Sequence, residues 1–411
     1  MASHFSRYTV ALCLSAGLAA CLGHAPGAPA RPDDKDDPKN PVWDGKKGSE
    51  WVDILVNAPS ARARALAVEA LGRLWREKLY DQALPNIGRS LRVDPSAAVR
   101  AQAAIALSGI RTAEIKVLPR ELAVLAENAR KDLVLAMGAE KESRVRREIA
   151  LALGRDPVLV KAALSDLAAA LKDPEPATVV AVAEAIAQAG PDGKTAAAEL
   201  APLLSHTDQT VRKAAVVTLG RIAPEGAVAI AESLAEMLVA EKDPDLRTEV
   251  LTSLGLLGQK SPSVVDRVAA VLTDADADLR RRAVRLLGSF GTAARPAAAA
   301  LLKAAASDPL KDVRVDAVHS LGSALGPEDV KKRLPDFHGL LSDPDHEVRI
   351  AVLDELGALG NELKDETETI KQVRLRLSDP HLKVREAAAI TLRRITEKKK
   401  DTPPQQPEKK P

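Results

Sequence analysis

Aromatic side chains make up only 2% of this 411-residue chain: three Trp, two Tyr and three Phe. Strands draw heavily on aromatic and β-branched residues, so a sheet-based core has too little to build on. Cysteine is scarcer still. Cys13 and Cys21 are the whole complement, which excludes an internal disulfide or a thiolate metal site from everything downstream. Charge of one sign is also missing: 59 Lys and Arg stand against 57 Asp and Glu, a net +2, so no global field collects polyanions and a dedicated nucleic-acid binder is disfavoured. What remains is an apolar fraction of 46% supplied mainly by Ala, Leu and Val, the composition of close-packed helices. The expected class is all-α, either as two or three globular domains or as one array of repeated units.

The first 20 residues have the layout of a secretory signal: a short polar stretch with Arg7, then an apolar run over 9–20. That run is too short for a membrane span, which needs about 20 residues. It ends in Leu18-Ala19-Ala20-Cys21, which resembles the bacterial lipobox. The resemblance implies cleavage before Cys21, with Cys21 carrying the lipid. Cleavage after Ala30, giving a periplasmic or secreted protein, is the alternative. Residues 21–48 are expected to be a disordered tether, poor in large apolar side chains over 25–41, and residues 398–411 (KKKDTPPQQPEKKP) a disordered basic, Pro-rich tail.

Between these ends one pattern recurs. An arginine preceded by an apolar residue is followed by apolar residues three, four and seven places on. With Arg as anchor the positions are Arg64, Arg100, Arg146, Arg212, Arg247, Arg280, Arg314, Arg349 and Arg385. Most steps are 33 to 36 residues; the step from 146 to 212 is twice 33, and a degenerate unit fits there with Val179 at the anchor and Ile186 seven residues on. Ten units therefore share one register, each a helical hairpin whose second helix buries a stripe at −1, +3, +4 and +7. Gly at +8, as in Gly72, Gly220 and Gly357, ends that helix or lets a neighbour pack close. Asp-Pro at Asp94, Asp173, Asp308, Asp343 and Asp379, six residues before the anchor, marks the turn within the hairpin.

The Asp-Pro turn, the Val-Arg start of the second helix and its Leu-Gly end resemble HEAT repeats, in particular the short form named after phycobilisome lyases. Pro85, Pro119, Pro202, Pro296 and Pro335 match the proline that kinks the first helix in that family. The resemblance implies a right-handed α-solenoid (superhelix) of about ten HEAT-like hairpins over 49–397, with second helices lining the concave side. It also implies a structural ladder of buried hydrogen bonds between successive repeats, here Asp94, Arg100, Asp308, Arg314, Asp343, Arg349, Asp379 and Arg385.

Enzymes of that family set the test for chemistry. Deoxyhypusine hydroxylase holds two irons with His-Glu pairs directly after the repeat arginine. Here those places read Ala101-Gln102, Arg147-Glu148, Lys213-Ala214, Thr248-Glu249, Arg281-Arg282, Val315-Asp316, Ile350-Ala351 and Glu386-Ala387, without a histidine. The sole His-Glu dipeptide, His346-Glu347, precedes its anchor, and one pair cannot complete a di-iron site. A bilin lyase would share the repeat but no catalytic pattern. A HEAT-like DNA glycosylase would need aromatics beside a basic cleft, whereas Trp43, Trp51 and Trp75 all lie near the N-terminus. No phosphate loop or Gly-x-Ser-x-Gly is present either. The expectation is therefore a non-enzymatic protein without metal or cofactor.

Positions +1, +2, +5 and +6 of the second helices lie outside the core pattern and are expected to face the groove. The candidate surface is Lys213, Glu249, Arg281, Arg282, Arg285, Asp316, Asp354 and Glu355, basic near residue 282 and acidic near 355. The expected protein is an exported scaffold at the cell envelope, held to the membrane by an N-terminal lipid, which takes a protein or peptide ligand and no nucleic acid.

Overall fold

The computed structural model describes Asp37 and residues 39–222 and 227–397. The expected signal, the lipobox with Cys21 and the tail over 398–411 lie outside the described residues. The chain divides into two compact units, Met1–Ala152 and Leu153–Pro411.

Unit 1 opens with a two-residue antiparallel hairpin, β1 (Val42–Trp43) and β2 (Lys46–Lys47). Three helical hairpins follow: α1 (Gly48–Asn57) with α2 (Ala61–Lys78), α3 (Ala83–Val93) with α4 (Ala97–Leu107), and α6 (Arg120–Ala139) with α7 (Ser143–Leu153). A short α5 (Thr112–Ile115) and the 20-residue α6 account for the long step from Arg100 to Arg146.

The end of the stretch expected as tether is folded instead. Trp51 Nε1 donates to the Trp43 carbonyl at 3.0 Å, and the two rings meet at 5.7 Å. Arg73 and Lys46 lie over these rings. Gly48 sits so close to Tyr80 that a Cβ would come within 2.6 Å of its ring. The few aromatic residues are thus concentrated where the array begins, and they supply the apolar contact that orders the hairpin.

Unit 2 continues the same alternation. Its first helices are α8 (Pro157–Ala162) with α9 (Leu164–Ala170), α11 (Ala197–Leu200), α13 (Val228–Ala240), α15 (Pro262–Ala270), α17 (Ala298–Ser307), α19 (Leu334–Leu340) and α21 (Thr367–Leu375). The second helices are α10 (Pro176–Ala187), α12 (Gln209–Ile222), α14 (Pro244–Leu257), α16 (Ala277–Ser289), α18 (Lys311–Lys332), α20 (His346–Leu359) and α22 (Leu382–Thr396). Pro202 falls in the first turn of a 3-10 segment, where a missing N–H costs least, and Pro296 falls inside the 3-10 segment that leads into α17. At Gly326 (φ 70°), just before Pro327, α18 breaks and becomes the next first helix.

The anticipated stripe is the core. In α12 it is Val211, Ala215, Val216 and Leu219, and in α20 Val348, Val352, Leu353 and Leu356, all fully buried. Each buried Leu or Val contributes about 1.5–3 kcal/mol. Every hairpin must share this face with its neighbours, which makes the fold an α-solenoid.

Candidate functional site

The anchor arginines are bound by a repeating set of hydrogen bonds. Arg314 donates from Nε and Nη2 to the two oxygens of Asp343, at 2.8 and 3.0 Å, and from Nη1 to the Asp308 carbonyl at 2.9 Å. Arg349 does the same with Asp379 and the Asp343 carbonyl, as does Arg280 with Asp308 and the Asp274 carbonyl. In unit 1, Arg64 chelates Asp94 and Arg100 chelates Glu140. Each rung thus ties one repeat's second helix to the next repeat's turn, while Nη1 closes the arginine's own turn. The acceptor has a second task. Asp343 Oδ1 also accepts from the Asp345 N–H, and Asp379 Oδ1 from the His381 N–H. Burial pushes the Asp94, Asp308 and Asp379 carboxyls up, yet the guanidinium and the turn N–H outweigh it and hold all three below the ordinary carboxylate range.

The Asp-Pro signature finds only part of this ladder. Glu140, Glu241 and Asp274 fill the same place, six residues before an anchor, without a following proline. Arg212 reaches Glu241 at 2.9 Å, and Arg247 reaches Asp274 at 2.6 Å. Counting six back from every anchor would have found them. The degenerate unit shows the coupling: Val179 stands where the donor should be, and His206 stands in the next repeat's acceptor place. Donor and acceptor are lost together. His206 keeps only the turn task, its Nδ1 accepting from the Asp208 N–H at 3.0 Å.

A second set of contacts corrects the expectation for +6. Thr218, Ser253, Ser320 and Thr391 occupy that position and are buried rather than groove-facing. Their hydroxyls donate to the carbonyls of Ala183, Val216, Val284 and Leu353 on the preceding second helix, at 2.9–3.0 Å. For Ser253, Ser320 and Thr391 the +8 glycine of the preceding repeat makes room, while Thr218 packs where that residue is Ala187. A Cβ on Gly220 would lie 2.6 Å from Ser253 Oγ, and one on Gly288 2.5 Å from Ser320 Oγ.

Positions +1, +2 and +5 carry the variable face. On unit 2 the candidate charges are joined across repeats: Lys213 lies 3.9 Å from Glu249, and Arg281 and Arg285 both donate to Asp316 Oδ2 at 2.7 Å. Arg281 also meets Asp312 at 3.1 Å, and Arg282 pairs with Asp278 within its own helix. His319 Nδ1 lies 2.7 Å from Glu355 Oε1; that hydrogen bond, partly opposed by burial, raises the His319 pKa, and exposed Asp354 adds to the effect. The basic spot and the acidic end are thus largely neutralised in place. On unit 1 the same face is mixed: Leu66, Ile105 and Leu151 are exposed beside Glu69, Gln102 and the Arg147–Glu148 pair. Among the described residues no three His, Cys, Asp or Glu side chains gather in a metal-ligating group. His346 and His381 stack at 3.7 Å in adjacent turns.

The family model described as HEAT repeats matches residues 48–136, 164–237, 231–322 and 334–404. Among solved structures, Kap121p is similar at 16% identity with a TM-score of 0.52, covering 84% of this chain and 40% of that one. A mutant of Kap121p gives 16% identity and a TM-score of 0.50 over the same shares. The chain thus spans about two-fifths of the length of these two structures. No curated protein matches the chain.

Proposed function

The chain belongs to the HEAT-repeat family, and from that premise we propose that it is a non-enzymatic scaffold which binds a protein partner on its second-helix face. The likeness to Kap121p supports the fold alone. One observation carries the functional reading: most of the anchor arginines and their turn acceptors are consumed in rungs between repeats, whereas +1, +2 and +5 differ from repeat to repeat. A surface that varies over a constant frame is what an extended binding face requires. In this reading the face is the concave one and includes Lys213, Glu249, Arg281, Arg282, Arg285, Asp316 and Asp354, with Glu355 at +6 on its edge, where it meets His319. Export and a lipid on Cys21 belong to the same proposal and rest on the leader pattern alone.

The test uses the full-length chain, cross-linked in its native cells beside a Cys21→Ser control. Reversing Arg281 and Arg285 alone would set like charges against Asp316. The informative variant is therefore Arg281→Asp, Arg285→Asp and Asp316→Arg together, which keeps opposite charges facing each other but inverts the face. Loss of a partner that the parent captures, with melting unchanged, is the expected result. Retention of that partner would overturn this face as the site. Recovery in the cytoplasm with an intact N-terminus would overturn export, and stoichiometric iron or a chromophore would overturn the non-enzymatic reading.

A further inference from the structure

The last described repeat opens, at +4 and +7, positions that are buried in every other repeat of unit 2. Position −8 is buried as Leu171, Leu204, Leu272 and Leu341 but exposed as Val239 and Ala306, and Leu377, its equivalent in the last described repeat, is 39% exposed. At +4, Val216, Leu251, Val284, Val318 and Leu353 are buried, whereas Ala389 is exposed. At +7, Leu392 is half-buried where Leu219, Leu254, Leu287, Leu321 and Leu356 are fully buried.

The rung chemistry on this face is also unfinished. Arg385 Nη1 donates to the Asp379 and Pro380 carbonyls at 2.8 and 3.1 Å, but Nε and Nη2 meet no carboxylate among the described residues. Nearby, the buried Arg376 Nε has no hydrogen-bond partner. The helix itself is basic, with Lys383, Arg385, Arg393 and Arg394 against Glu386.

We propose that this face docks an acidic amphipathic helix of a partner protein. A carboxylate of that helix takes the place on Arg385 that Asp343 takes on Arg314, and its apolar side chains cover Leu377, Ala389 and Leu392. Charge complementarity selects the sign. Two observations disfavour another copy of this chain. The first repeat has Ala58 in the acceptor place, so its end offers Arg385 no carboxylate there. Arg393 stands at +8 in place of glycine and holds off the close approach of a HEAT second helix. This surface is distinct from the second-helix face proposed above, and either can fail alone.

The probes are three labelled helical peptides of equal length: a leucine/glutamate amphipathic helix, a leucine/lysine one, and a glutamate/serine one without an apolar face. Titrated with the full chain and read by fluorescence anisotropy, only the first should bind. Arg385→Gln should weaken it at least about tenfold, Arg385→Lys should restore part of the loss, and Arg267→Gln, on a first-helix pair with Glu236, should leave it unchanged. Thermal melts of each variant separate lost docking from lost folding. Equal binding of the leucine/lysine peptide, or indifference to Arg385→Gln, would overturn the proposal. So would sedimentation showing that a second copy covers the face, or binding that appears only after residues 398–411 are removed, which would make the chain's own tail the occupant.

Discussion

The two units use one frame and decorate it differently. Arg64 with Asp94 in unit 1 and Arg314 with Asp343 in unit 2 are the same rung at the same register. Above the rung the units diverge. At +6, unit 1 carries Ala70, Ala106 and Ala152, while unit 2 has Thr218, Ser253, Ser320 and Thr391 bonded to the preceding helix. On the open face, unit 1 exposes Leu66, Ile105 and Leu151 and pairs Arg147 with its neighbour Glu148, where unit 2 joins its charges from one repeat to the next. The chemistry that makes the fold is thus separate from the chemistry on its surface. Either can change without the other.

The largest effect should come from breaking the shared frame. Asp379→Ala strands buried Arg349, and Asp94→Ala strands Arg64; each should cost about 3–5 kcal/mol of local stability in its unit. Amide exchange resolved by unit is the measurement, because a repeat array need not unfold in one step. Arg282→Gln, on an exposed pair, should stay within about 0.5 kcal/mol. A small effect in one unit alone would mean that the common rung does not do the same work in both.

A middle-sized effect should separate glycines that look identical in sequence. Gly220→Ala drives a methyl into Ser253 and should cost about 1–3 kcal/mol, with Ser253→Gly restoring part of it. At Gly255 the nearest atom to an added Cβ is a Leu286 methyl at 3.5 Å, so Gly255→Ala should be neutral or gain up to about 1 kcal/mol from helix propensity. Melting curves of the two variants decide it.

That contrast shows what the sequence made legible. The register was readable because a 3.6-residue period and a 33–36-residue repeat overlap at nine arginines, and the gap at Val179 followed from arithmetic. The turn acceptors Glu140, Glu241 and Asp274 were hidden because the eye follows Asp-Pro rather than position. The role of +6 was hidden for a different reason. A small hydroxyl residue on a helix reads as exposed and polar, and only the close approach allowed by a +8 glycine or alanine turns it into a buried donor. The folded hairpin at 42–47 escaped because composition averages dilute Trp43 and Trp51, which meet at one end. The ion pairs on unit 2's face join residues 31–36 positions apart, and a list of charges along the chain cannot show which of them cancel.

The smallest effect concerns pH, and it belongs to unit 2 alone, since the described residues of unit 1 contain no histidine. The hydrogen bond to Glu355 raises the His319 pKa above its ordinary value. A raised histidine contributes stability that is fully present below the unfolded-state value, about 6.5, and is lost as pH rises through the folded-state value. His338 acts in the opposite sense: burial lowers its pKa, so its contribution falls away as pH drops. The two therefore offset each other in the parent, and the informative quantity is the difference between parent and Glu355→Gln. That difference should favour the parent at pH 5.5, shrink toward pH 8, and stay under about 1 kcal/mol because His319 is exposed. A pH-independent difference would mean that Glu355 acts through packing against Gly322 rather than through the charged imidazole.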